Sequence, residues 1–301
     1  MRLDQRIASG KRLLVAELTP PLGADPAPLR EAARRYAGKV HALGISDNRD
    51  RLSMSALAAA AIVAGEGIEP ILHVTTRDRN RIALVSEALG AQALGIRNVL
   101  CTSGSHQTLG RFRAAKNVYD IDAVQLLATC SRLATDAALV GEEKGIAGAG
   151  PFCLGAVAAP DADPLELQLS RLGKKVAAGA AFLITQPVFD LERFDAWWKE
   201  ITRRGLHEKV AILAGVQPLT LEGLARQREG KRPSSRIPQA AMQRIESAGS
   251  PAAQRAASIE LALETVRKLS GVAGLRGFGI SADGDADAAI EIIDKSALGG
   301  D

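Results

Sequence analysis

Short apolar runs, each closed abruptly by polar residues or proline, recur along this chain with longer amphipathic stretches between them. The first run spans 13–18 and meets Thr19-Pro20-Pro21; the second spans 40–45 and ends in Ser46-Asp47-Asn48; the third spans 70–74 and ends in Thr75-Thr76. Runs at 99–101, 153–159, 180–185, 210–214 and 275–280 repeat the arrangement and read as buried strands. Between them, the stretches 26–37, 53–64, 80–89, 122–140, 164–178, 191–202, 251–269 and 285–297 carry helical spacing. Asp25 and Pro26 suit the cap and first turn of a helix, while Gly65, Gly67 and Gly179 suit helix stops. In the run at 180–185 the apolar residues give way to Thr185-Gln186, and Pro187 is expected to end the strand there. The stretch 108–120 lacks periodicity and is expected to be a loop over an active site. From 220 to 250 the pattern loosens into a basic loop at 230–235 and an inserted helix at 238–248.

Eight strands alternating with eight or more helices predict an α/β protein, a (β/α)8 TIM barrel in one domain over 1–301 with a helical insertion around 220–250. A doubly wound open sheet is the alternative. The first run leads into Thr-Pro-Pro rather than a G-x-G-x-x-G turn, which argues against a dinucleotide-binding sheet.

Composition narrows the class further. Apolar residues make up 47% of the 301 but aromatics only 3%, so the core must be built from Ala, Leu, Ile and Val. A net charge of +4 suits an anionic small molecule without calling for nucleic acid. Cys101, Cys130 and Cys153 are far apart and lack CxxC spacing. Cys101 and Cys153 lie in apolar runs and read as small core residues in a reducing compartment. No cationic start precedes an apolar leader and no run of 18 apolar residues occurs, so a soluble cytoplasmic protein with no membrane partner is expected.

A barrel gathers the carboxyl ends of its strands on one face. Glu17, Ser46, Asp47, His73, Thr75, the turn 103–106, Gln186 and Gln217 would then share one mouth. Each has a plainer alternative. Gln186 could be a loop amide, His73 a core histidine, and Asp47 with Asn48 a helix cap. Glu17 stands inside an apolar run pinned by two prolines. Desolvation there would raise its proton affinity and let it serve as a general acid. No H-x-H or H-E-x-x-H spacing supports a metal.

Several of these residues belong to longer motifs. Ala16-Glu17-Leu18-Thr19-Pro20-Pro21 resembles the strand-one E-x-x-P-P of the methylenetetrahydrofolate reductase family. Gly95-Ile96-Arg97-Asn98-Val99-Leu100 running into Ser103-Gly104, Val157-Ala158-Ala159-Pro160, and the stretch 174–186 are similar to that family in the same order. The likeness extends from about Arg12 to Pro218 and more loosely to the last strand.

The resemblance implies a barrel that holds FAD at its carboxyl face. It would reduce 5,10-methylenetetrahydrofolate, or a related C1-pterin, to the 5-methyl form, with NADH or NADPH as electron donor. Glu17 matches the family's acid, and Gln186 the glutamine that contacts substrate. Ser105 and Gln217 fall near the pterin, and Ser46, His73, Ser103, Gly104 and Tyr119 near the flavin. Gln168, Arg171 and Lys175 lie on the helix before the sixth strand, the two cations toward the FAD phosphates. A helical spacing of four suits that pair to a diphosphate, and equally to a solvated basic face. The chain departs from the family where an aspartate gives way to Ser105, a basic residue to Ser103 and an acid to Gln168. These changes leave two alternatives: a folate-binding accessory subunit, and a flavin-free enzyme passing hydride directly from nicotinamide. A partner subunit delivering electrons, or a homo-oligomer, is compatible with each.

Overall fold

A computed structural model describes residues 1–49, 51–135, 146–230 and 235–298. Eight parallel strands pair in sequence order, and β1 closes on β8. They are β1 (Leu13–Leu18), β2 (Ala42–Ile45), β3 (Pro70–Thr75), β4 (Asn98–Thr102), β5 (Cys153–Ala158), β6 (Phe182–Pro187), β7 (Ala211–Val216) and β8 (Gly277–Ile280). The helices are α1 (Leu3–Ala8), α2 (Ala27–Arg34), α3 (Ala56–Gly65), α4 (Arg81–Ala93), α5 (Ala123–Thr135), α6 (Leu165–Ala177), α7 (Leu191–Arg203), α8 (Leu206–Lys209), α9 (Leu221–Arg228), α10 (Gln239–Glu246), α11 (Pro251–Leu269) and α12 (Ala286–Ser296). The expected (β/α)8 TIM barrel is what forms.

Alternation along the strands makes two cores. Leu13, Val15, Ile71, Leu100, Phe182 and Leu213 point inward and fill the barrel. Leu14, Leu43, Leu72, Val99, Leu183 and Ile212 point outward against the helices. Phe182 is large for an interior short of aromatics, and Gly155 makes room for it. A Cβ there would lie 2.2 Å from Phe182 Cζ. All three cysteines are free and buried. Cys101 and Cys130 contact each other, and this contact together with burial pushes the Cys101 thiol well above its ordinary range.

Helix starts are set by side-chain caps at the carboxyl end of the barrel. Asn80, Asp190, Thr220, Ser250 and Asp285 each accept a hydrogen bond from a backbone N–H three residues on. The amino end is closed by α1, an element the sequence pattern does not announce. Leu3 packs into the inner core, and its N–H meets both Glu69 oxygens at 3.0 Å.

Three further expectations are corrected. β6 runs on through Gln186 to Pro187, because a register shift between Ile184 and Pro187 lets the proline pair with Gly215 although it has no N–H to donate. The loosened stretch after 220 contains α9, and the inserted helix is the shorter α10. The loop 108–120 opens with a 3-10 turn, Gln107–Leu109. The helix expected over 122–140 is described as far as Thr135, and 231–234 of the basic loop lie outside the described residues.

Candidate active site

Glu17 lies one residue before the end of β1, on the inward face set by Leu13 and Val15. Its side chain is 23% exposed, and Oε1 accepts from Arg49 Nη1 at 2.8 Å. An apolar surrounding was expected. The guanidinium of Arg49, from the loop after β2, supplies the opposite: a positive charge that favours the ionised carboxylate.

His73 is the inward residue two before the end of β3, and its ring crosses Gly44 of β2. A Cβ on Gly44 would lie 2.6 Å from Nε2, so this strand pair admits the imidazole only because Gly44 has no side chain. Burial lowers the proton affinity of His73, the nearby Glu17 charge opposes that, and Arg49 adds to it. The ring is therefore held neutral, and its Nε2 is buried with no hydrogen-bond partner. Gln217 follows β7, continues the inward alternation of Leu213 and Gly215, and carries a second such atom, Nε2. Buried polar atoms of this kind are normally satisfied, which sets these two inward nitrogens apart from the apolar interior.

Ser46 directly follows β2, buried, with Oγ donating to Thr19 Oγ1 at 3.1 Å. Asp47 beside it is not a helix cap. Its Oδ2 accepts the Thr75 N–H at 2.8 Å and pairs with Arg79, which also pairs with Glu87. Burial pushes the Asp47 carboxyl up while Arg79 pulls it down. Asp47 thus stitches β2 to β3 beneath the mouth.

The turn after β4 is more committed to structure than its composition suggests. Ser103 Oγ accepts the Ala123 N–H at 3.1 Å and so caps the start of α5. Gly104 has φ +75°, and a Cβ there would lie 2.5 Å from Thr75 Cγ2, so glycine is required on both counts. Ser105 is exposed. Tyr119, exposed and at φ +44°, donates from its hydroxyl to the Gly104 carbonyl at 3.4 Å, so the far limb of the loop folds back onto the turn.

Gln186 is half-buried near the end of β6, alternating with the buried Thr185 and Pro187. On α6, Gln168, Arg171 and Lys175 form one stripe beside the carboxyl end of β5. The two cations are not a solvated pair. Arg171 is exposed, but Lys175 is half-buried and donates from Nζ to the Val157 carbonyl at 2.6 Å. Burial, then the Arg171 charge, lowers the Lys175 proton affinity.

The predicted residues on the strand ends and on the turn after β4 therefore gather at one end of the barrel. Glu17, His73 and Gln217 face inward, Gln186 stands near the end of β6, Ser105 and Tyr119 lie on the rim, and Arg171 is exposed midway along the outer helix α6. Arg49, Arg77 and Arg79 were missed, although the run Arg77-Asp78-Arg79-Asn80 directly after a buried strand was the available signal. A cavity of about 330 Å³ lies at the opposite end, lined in part by Met1, His41 and Glu69. Its polar groups are spent on the fold, since His41 Nδ1 accepts from Leu14 N–H and Glu69 holds Leu3 and Asn98. Among the described residues no three His, Cys, Asp or Glu side chains cluster as metal ligands, and no helix is long and apolar enough to cross a membrane.

Known proteins share the family and the barrel of this chain. The family model described as methylenetetrahydrofolate reductase matches residues 2–297. A Caenorhabditis elegans protein described as a probable methylenetetrahydrofolate reductase (NADPH) is 24% identical over 218 residues, covering 71% of this chain and 27% of that protein. The chain thus spans about a quarter of that relative's length. Among solved structures, an uncharacterized protein from Clostridium thermocellum that binds two copies of 5-methyl-5,6,7,8-tetrahydrofolic acid superposes with a TM-score of 0.65. It shares 14% identity, with 97% of this chain and 98% of that one covered. An EDTA monooxygenase from Chelativorans sp. BNC1 gives 0.54 at 11% identity, with 96% and 95% covered.

Proposed function

The chain belongs to the methylenetetrahydrofolate reductase family, and from that premise we propose that it reduces 5,10-methylenetetrahydrofolate, or a related C1-pterin, to the 5-methyl form. The observation that carries the reading is the inward carboxylate of Glu17 at the same barrel end as two buried, unpaired amide and imidazole nitrogens. A barrel of this kind needs no positioned acid merely to hold a ligand.

The residues present fit FAD. His73 Nε2 over Gly44 and the turn at Gly104 offer a cradle, with Ser46 and Tyr119 beside it, and the exposed Arg171 is the cation left for the diphosphate, since Lys175 is spent on the Val157 carbonyl. When bound, FAD supplies hydride transfer between a nicotinamide donor and the folate. Glu17 then has one task, to hold a proton and deliver it to the folate nitrogen as the five-membered ring opens. Gln186 orients the pterin, and Gln217 uses its free N–H donors for the same purpose. Arg49 holds the carboxylate in place through Oε1 at 2.8 Å. The donor is NADH or NADPH.

A second reading is favoured by Ser105, which cannot bring the negative charge expected after the turn glycine. In that reading the barrel binds a folate without flavin, either as an accessory subunit or as a direct-hydride reductase. The visible spectrum after FAD addition and desalting separates flavin-dependent from flavin-free forms, and turnover with NADH or NADPH separates enzyme from binding module. Glu17→Gln should lower folate reduction by about 10²-fold or more while leaving the flavin spectrum and FAD affinity unchanged. Normal turnover in that variant sinks the acid assignment.

A further inference from the structure

Arg77 lies two residues past the end of β3, with its side chain 3% exposed. Nη2 donates to the Asn48 carbonyl at 2.7 Å and Nη1 to the Ser105 carbonyl at 3.1 Å, so one side chain ties the loop after β2 to the turn after β4. Nε and Nη2 also meet the two carboxylate oxygens of Asp78, each at 2.7 Å. Asp78 in turn accepts from Gln107 Nε2 at 2.8 Å. The Arg77 carbonyl accepts the Val118 N–H at 2.7 Å, which brings in the far limb of the same loop next to Tyr119. Two backbones at these ties are left-handed, Asn48 at φ +42° and Gly104 at φ +75°. Glycine takes this conformation without cost, but Asn48 carries a Cβ and keeps it only where its surroundings hold it there.

Stability alone is a weak reason for a buried cation, because apolar packing of the same volume does as well. What a planar fork of N–H donors adds is a fixed relation between the groups it holds, which the point charge of lysine does not reproduce. We propose that Arg77 is a positioning residue that locks Asn48, the turn 103–105 and the Tyr119 limb into one wall of the ligand site. Ligand affinity and turnover then depend on a side chain whose donors face the loops. The inference rests on the folate reductase reading above, and its test separates the two.

Arg77→Lys, with Asp78→Asn as a second variant should the first fail to fold, is compared with the unaltered protein in three ways. These are amide hydrogen exchange, titration with FAD and with 5-methyltetrahydrofolate, and kcat with KM. Exchange should quicken about tenfold or more at Asn48, at Ser53, whose N–H donates to Asn48 Oδ1 at 3.0 Å, and over 103–119, while the strand amides keep their protection. Affinity for the probes should fall by about tenfold or more, with a drop in kcat beyond the rise in KM. Unchanged loop exchange overturns the proposal whatever the ligands do. Quickened loops with unchanged affinity and kcat also overturn it and leave a purely structural tie. If the unaltered protein binds the folate but refuses FAD, the flavin reading fails alone and the folate titration decides Arg77. If it binds neither probe, both fall.

Discussion

Gly44 lacks a side chain where His73 needs the space, and this one exchange of volume explains much of the interior at the mouth. The imidazole is pressed over β2, kept neutral by burial, and left with an unpaired nitrogen. Glu17 sits in a different balance, because Arg49 reaches it from a neighbouring loop. A general acid must carry its proton when the reaction calls for it, and an adjacent cation works against that. Removing the cation keeps the acid protonated to higher pH. Arg49→Met should therefore move the upper limb of the kcat/KM pH profile upward, with neutral His73 adding no charge of its own. An unmoved limb would mean that Arg49 leaves the acid alone during turnover. Sequence revealed Glu17 and His73, since a charged or polar residue inside an apolar run stands out. It offered the charged run after the third strand as a sign of Arg77, but not the ties that Arg49 and Arg77 make. Their partners Glu17, Asn48 and Ser105 are some 28 to 32 positions away along the chain or on another strand, and no local pattern encodes such ties.

Elements follow the same division between local and distant causes. Strands and long helices were legible because apolar alternation and helical spacing are local, and α11 begins and ends where its spacing predicts. The ends of β6 were not. A proline normally ends a strand, and only the pairing of Pro187 with Gly215 across a register shift carries the strand past Gln186. Short α1 escaped because six residues show too little periodicity, yet it is the plug of the barrel. Leu3 is 1% exposed among the inward side chains, and Glu69 fixes the helix start while also holding Asn98 Nδ2 at 2.8 Å. Truncating that leucine leaves a cavity under the inner core. Leu3→Ala should cost about 2–5 kcal/mol of stability in urea unfolding. Folate and flavin affinities should stay within about twofold, because the mouth is at the other end of the strands. A loss of affinity matching the loss of stability would show that the two ends are coupled through the inner core.

For the whole molecule the division of labour between the two ends appears on the surface as well. Large apolar side chains exposed among the described residues are distributed unevenly. Leu22, Leu52, Phe112, Val118 and Tyr119 lie in loops after strands, and Ile82, Leu167 and Leu221 lie in first helical turns on the same side. Only Met1 and Leu94 of that group lie at the amino end. The exposed cations Arg111, Arg113 and Lys116 interleave with Phe112 in the loop after β4, and Arg111 pairs with Glu222 at the start of α9. That ion pair joins the loop after β4 to the first turn of α9, the helix that follows β7, so the rim is bridged across the mouth. An apolar rim with basic residues suits a flat, anionic, aromatic ligand, and exposed apolar area of this kind marks binding faces. Ligand at 100 times its dissociation constant stabilises a fold by about 2.7 kcal/mol. If the mouth is the site, the resulting protection should be local. Hydrogen exchange with saturating FAD or 5-methyltetrahydrofolate should slow in 19–24, 103–119 and 217–222, and leave the amino-end segments 65–69 and 93–97 unchanged. Protection at 65–69 instead would transfer the site to the amino-end cavity beside Glu69, and with it the case for Glu17 as the acid would end.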